Sequence, residues 1–175
     1  MPANVTTIDA LKVALKIEDD GRRFYRQAAR KSENNLTKQL FTNLADQELV
    51  HKQIFQKIYH AVVGGEEFPE LVLPVGEAKK ARGIFAEAMK EIGIAIKPSL
   101  SEQEAVKIAM EKEIKSRDFY IGHAQEIQNP VEKKFYDNLA GEEQGHYLLL
   151  NDYNEYLINP AGYFVMKERH SLDGA

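Results

Sequence analysis

The chain has 175 residues, enough for one domain with a substantial core. A net charge of −4, with lysines and arginines interleaved among acids, excludes the basic face that a nucleic-acid surface needs. The absence of cysteine excludes disulfides, thiolate zinc sites, cysteine-held iron–sulfur clusters and thiol nucleophiles in this chain. No apolar run reaches the length of a membrane span, and MPANVTTIDALK has no basic stretch leading into a long apolar one. The expectation is a cytoplasmic protein that binds neither nucleic acid nor membrane.

Apolar residues recur at helical spacing along most of the chain. The first predicted helix covers residues 7–31, with Thr6 or Thr7 as cap and Leu11, Leu15, Glu18, Tyr25 and Ala28 on one face. The second covers 36–63 and stops at Gly64-Gly65. Its face is Leu40, Leu44, Glu48, His51, Phe55 and Ile58. Residues 66–74 read as extended and irregular, and 76–93 as a shorter helix weakened by Gly83.

The third long helix is predicted from Ser101, with Glu104 completing a capping box, to about Gln128. Its face is Val106, Ala109, Glu113, Tyr120, Ala124 and Ile127. The fourth opens at Asn129-Pro130, presents Tyr136, Leu139, Glu143, His146, Leu150, Tyr153 and Leu157, and stops at Asn159-Pro160. Short links within each pair favour antiparallel neighbours, and the long middle segment can cross from one end of a bundle to the other. The prediction is a single all-α domain over 1–175: an antiparallel four-helix bundle over about 7–158, a crossover between the second and third long helices, and a tail over 159–175 whose start packs and whose end, SLDGA, is loose.

The sequence repeats itself. ALKIEDDGRRFY (14–25) aligns with AMEKEIKSRDFY (109–120), and FTNLADQELVH (41–51) with YDNLAGEEQGH (136–146). Glu18, Glu48 and His51 recur as Glu113, Glu143 and His146 at a constant offset of 95 residues. This is a duplicated helical hairpin. Residues three apart share a helix face, so each Glu-x-x-His pair points into the bundle from an apolar stripe, as do Glu18 and Glu113. Four buried carboxylates need compensation, because the idealised cost is about 20 kcal/mol per ion and several kcal/mol persist after relaxation. Two divalent cations carry the matching charge. Carboxylate and imidazole ligands suit iron or manganese, and zinc is possible.

These motifs, Glu18…Glu48-Leu-Val-His51 and Glu113…Glu143-Gln-Gly-His146, resemble the rubrerythrin-like branch of the ferritin-like di-iron carboxylate superfamily over roughly residues 8–158. The resemblance implies a ferritin-like bundle holding two irons. It implies bridging by Glu48 and Glu143, terminal carboxylates from Glu18 and Glu113, and one metal for each of His51 and His146. Tyr25 and Tyr120 are the candidate catalytic residues, two turns beyond the terminal glutamates; core packing is the plainer reading of both. The implied activity is oxidation of the ferrous pair by hydrogen peroxide or oxygen. The alternatives are ferritin-like iron handling and a bundle merely stabilised by metal.

Rubrerythrins commonly carry a four-cysteine rubredoxin module, absent from this chain, so an external electron donor is implied. Ser116 stands where a further glutamate is common, which implies a more symmetric, ferritin-type centre. A homodimer is the expected assembly. Glu111 and Glu142 fall off the inner face as solvated or secondary groups, Glu102 and Glu104 suit a helix N-terminus, and His60, His123 and His170 read as surface or packing residues.

Overall fold

The computed structural model describes residues 5–172, which form six α-helices: α1 (Val5–Lys31), α2 (Asn35–Val63), α3 (Glu77–Ile92), α4 (Leu100–Glu126), α5 (Pro130–Ile158) and α6 (Pro160–Leu172). No strand occurs among the described residues. The long helices run antiparallel in the pairs α1/α2, α1/α4 and α2/α5. Tyr25 stacks on Phe41 between α1 and α2, and Tyr25 and Tyr120 reach Glu113 and Glu18 between α1 and α4. Thr37 meets the hydroxyl of Tyr153 at 2.8 Å, and Phe55 meets the ring of Phe135 at 5.3 Å, between α2 and α5.

Nearly every residue of the predicted inner faces is buried; Leu15 and Ile127 are half-buried. The apolar core divides in two. One cluster gathers Tyr25, Leu40, Phe41, Leu44, Val106, Leu150 and Tyr153, and the other Leu11, Ala14, Phe55, Ile58, Tyr120, Tyr136 and Leu139. On each long helix the candidate Glu and His residues fall between the two clusters. The polar layer is therefore sealed above and below by side chains worth about 1.5–3 kcal/mol each when fully buried.

Helix starts show where local signals were misplaced. Helix α1 already runs through Thr6 and Thr7, so neither caps it; the Thr7 hydroxyl donates to Glu132 at 3.4 Å instead. The capping box of α4 belongs to Ser99 and Glu102, two residues before the predicted pair. Glu102 wins because its carboxylate also accepts the backbone N–H of Asn34 at 2.8 Å, joining the starts of α2 and α4, whereas Glu104 is exposed. Asn129-Pro130 opens α5 as predicted, with the Asn129 side chain accepting from Val131 at 2.9 Å.

Two further corrections concern the crossover and the tail. Residues 66–74 are irregular, as expected, but α3 is a regular sixteen-residue helix that buries Ala78, Ala81, Phe85 and Met89. Gly83 is exposed and breaks nothing, and Gly93, at φ 60°, ends the helix. The tail is not a tail over most of its length. Asn159 stops α5 and at once accepts the N–H of Gly162 at 3.0 Å, so Pro160 opens α6. Asp152 on α5 holds both outer helices, with Arg82 at 2.5 Å from α3 and Lys167 at 3.0 Å from α6. The expected loose end at residues 173–175 lies outside the described residues.

Candidate metal centre

Six polar side chains from four helices meet in the layer between the two apolar clusters. Glu18 comes from α1, Glu48 and His51 from α2, Glu113 from α4, and Glu143 and His146 from α5; none is more than 4% exposed. Nδ1 of His51 lies 3.4 Å from Glu18, 3.5 Å from Glu143 and 3.9 Å from Glu48. Nδ1 of His146 lies 3.4 Å from Glu113 and 3.6 Å from Glu48. Glu48 thus offers one carboxylate oxygen to each histidine. The groups form two overlapping sets, Glu18/Glu48/His51/Glu143 and Glu48/Glu113/Glu143/His146, with ligand atoms within 4.8 Å of one another in each.

The arrangement leaves donor atoms without partners. Glu18 Oε2, His51 Nδ1, Glu113 Oε2, Glu143 Oε1 and His146 Nδ1 are all buried and hydrogen-bonded to nothing. An unpaired buried polar atom costs about 1–3 kcal/mol, and five around one point are sustained only by a common occupant. Oxygen and imidazole donors around two adjacent positions fit a pair of divalent transition-metal ions.

Without cations, protons carry the compensation. Burial pushes the Glu48 and Glu143 carboxyls well above the usual carboxylate range, and the neighbouring carboxylates push them further. Burial also opposes ionisation of Glu18 and Glu113. In Glu18 it is outweighed by the neighbouring Glu48 and His51, and in Glu113 by the charge of His146, so both fall below their ordinary value. Glu48 therefore favours keeping a proton toward Glu18, and Glu143 toward Glu113. Burial disfavours charge on His146 as well, but Glu113 outweighs it and raises the imidazole.

Tyr25 and Tyr120 also reach this layer, by a crossed path. Tyr25 of α1 donates to Glu113 of α4, and Tyr120 of α4 donates to Glu18 of α1. Each tyrosine serves the carboxylate of the opposite repeat. Burial, followed by nearby carboxylate charge, raises both phenols well above their ordinary value, so they remain donors.

Two contributors, Gln47 and Gly145, escaped the sequence reading, and Glu142, expected off the inner face as a solvated or secondary group, is secondary and buried. Gln47 accepts from Nε2 of His146 at 3.0 Å while its own amide donates to Asn43 at 2.7 Å. Glu142, its counterpart in the repeat, is buried and turned away from the centre, accepting the N–H groups of Gly76 at 2.6 Å and Ala78 at 3.2 Å. It supplies the side-chain cap that Gly76, at φ 91°, cannot. Gly145 lets α3 approach, since a Cβ there would stand 2.6 Å from that of Ala78. Among the other histidines, His60 is exposed, and His123 sits edge-on to Tyr136, 3.7 Å from Glu132 and away from the centre. The side chain of His170 lies outside the described residues.

A cavity of about 270 Å³ opens beside the layer between α2 and the start of α3, lined by Gln47, Val50, His51, Pro74 and Glu77 among others. Among the described residues no helix is long and apolar enough to cross a membrane. No curated protein and no solved structure matches this chain. The rubrerythrin family model matches residues 9–153, a span that holds all six clustered Glu and His residues and both tyrosines. The chain belongs to the rubrerythrin family.

Proposed function

We propose that the six clustered residues hold two iron ions and that the protein is a non-haem oxidoreductase, reducing hydrogen peroxide or oxygen and drawing electrons from an external donor. The observation that carries this reading is the set of five unpartnered donor atoms facing one another in a buried layer. Iron bound there would supply one electron per ion and the Lewis acidity that cleavage of an O–O bond requires.

The chain's own residues prepare the place. Glu48, with an oxygen toward each histidine, and Glu143, which belongs to both ligand sets, would each serve both ions. Glu18 and Glu113 close the outer sides, each oriented by the tyrosine hydroxyl from the opposite repeat. The apolar clusters exclude bulk water from above and below. The cavity at His51 is large enough for a small oxidant. With no cysteine, the chain offers no thiolate-bound iron as its own reductant, which supports a separate donor.

Anaerobic titration of the metal-free protein with Fe(II), followed by one equivalent of hydrogen peroxide, tests the proposal. Saturation near two irons per chain and prompt ferric absorption are the expected results. Saturation near two without a peroxide response would leave a metal-stabilised bundle. Continued uptake far beyond two would favour iron storage.

A further inference from the structure

The two halves of the centre are related by the repeat, yet their surroundings differ. His146 is fully buried and its outer nitrogen is held by Gln47 at 3.0 Å. The amide orientation of Gln47 is fixed in turn, because its NH2 group donates to Asn43 at 2.7 Å and leaves Oε1 to accept. With Gln47 accepting from Nε2, the neutral ring keeps its proton there, the tautomer in which Nδ1, facing Glu48 and Glu113, can ligate.

The repeat would place an equivalent acceptor near His51. Asn43 recurs as Asn138 and Gln47 as Glu142. Glu142, however, is spent on the first turn of α3, where two backbone N–H groups occupy both of its oxygens. No side chain among the described residues accepts from the outer nitrogen of His51, and the ring lines the cavity beside Pro74 and Glu77. The duplicated position has divided its work: one copy orients a histidine and the other anchors the crossover helix.

We infer that Gln47 is a positioning residue for His146, and that the two metal positions are therefore unequal, the His146 position filling first and more tightly. This rests on the assignment of the six clustered residues as metal ligands. A fixed acceptor on the outer nitrogen of a ligating histidine sets its tautomer, locks its ring and raises its basicity, and loss of such a partner typically weakens metal binding 10–100-fold. The nearly matched donor sets of the two halves would by themselves give two similar affinities. The inequality comes from the residue behind the histidine.

The test is anaerobic titration of the metal-free full chain with Co(II), followed through its visible absorption. Two steps with dissociation constants at least about tenfold apart are expected. Gln47→Leu removes the acceptor and should weaken the tighter step about 10–100-fold while leaving the weaker one in place. Gln47→Glu keeps an acceptor at the same reach and should restore two separated steps, which a purely structural role for Gln47 would not require. In the zinc-loaded protein, the Nε2–H of His146 should exchange slowly with solvent and that of His51 rapidly; Gln47→Leu should erase the difference. Equal constants in the unsubstituted protein, or a tight step that survives Gln47→Leu, would overturn the inference. A chain that takes up fewer than two Co(II) would overturn the metal-centre assignment itself.

Discussion

Raising the pH should destabilise the metal-free protein steeply, and two bound divalent ions should remove that dependence. The folded chain holds protons on Glu48 and Glu143 well above the carboxylate value of 4.5 from which both are shifted. Such groups contribute stability that is complete below the unfolded pKa and is lost as pH rises toward the folded one. Each costs about 1.4 kcal/mol per pH unit in that window, so two together cost about 2.7 kcal/mol per unit. The raised imidazole of His146 acts in the same direction above its ordinary 6.5. Glu18 and Glu113 are shifted downward, so their contribution is lost only below 4.5 and does not oppose the trend at higher pH. The loss begins near pH 5 and continues up to the raised folded values, so it falls in the mildly acidic to neutral range where a marginal domain has little to spare. Urea denaturation with a chelator present should show the midpoint falling continuously from pH 5. With saturating Zn(II) the slope should vanish or reverse, because the ions replace those protons. A metal-free midpoint that stayed flat or rose from pH 5 to 8 would refute the proton-holding arrangement.

Other outcomes follow from the same contacts. Loading two divalent ions at mildly acidic pH should release protons from Glu48, Glu143 and His146, measurable with an indicator dye in weak buffer. Tyr25→Phe and Tyr120→Phe should each weaken metal binding by a similar factor, about 10-fold or more, since each removes the donor to one terminal carboxylate; unchanged constants would reduce both tyrosines to packing. Gly145→Ala should cost about 1–3 kcal/mol in urea denaturation, as its Cβ would meet that of Ala78 at 2.6 Å, yet two ions should still bind. Gly21→Ala places a Cβ 3.5 Å from the Glu48 carboxyl carbon, an ordinary contact, and should be far milder. Glu142→Ala should cost about 0.5–2 kcal/mol and speed amide exchange at residues 76–80 by releasing the start of α3.

The amino-acid sequence by itself determined the helical class, the four long elements and the six Glu and His residues that cluster in the polar layer. The physical reason is periodicity: an ionisable residue at a buried phase of a helix announces itself, and the 95-residue repeat made each such position appear twice. Local capping chemistry was less decisive. Ser101 and Glu104 have the spacing of a capping box as surely as Ser99 and Glu102 do, and the choice fell to Asn34, a residue 68 positions away that donates to Glu102. The helical tail was hidden for a similar reason, since Asn159-Pro160 carries both a stop and a start signal and only the docking of Tyr163 and Lys167 selects the second. Only the tertiary structure decided how the repeats interlock: that each tyrosine serves the opposite half, that Gln47 stands behind His146, and that Glu142 left the centre to hold α3. Those contacts join residues on different helices. Their identity depends on how four cylinders are rotated and stacked, which the period within any one helix does not encode.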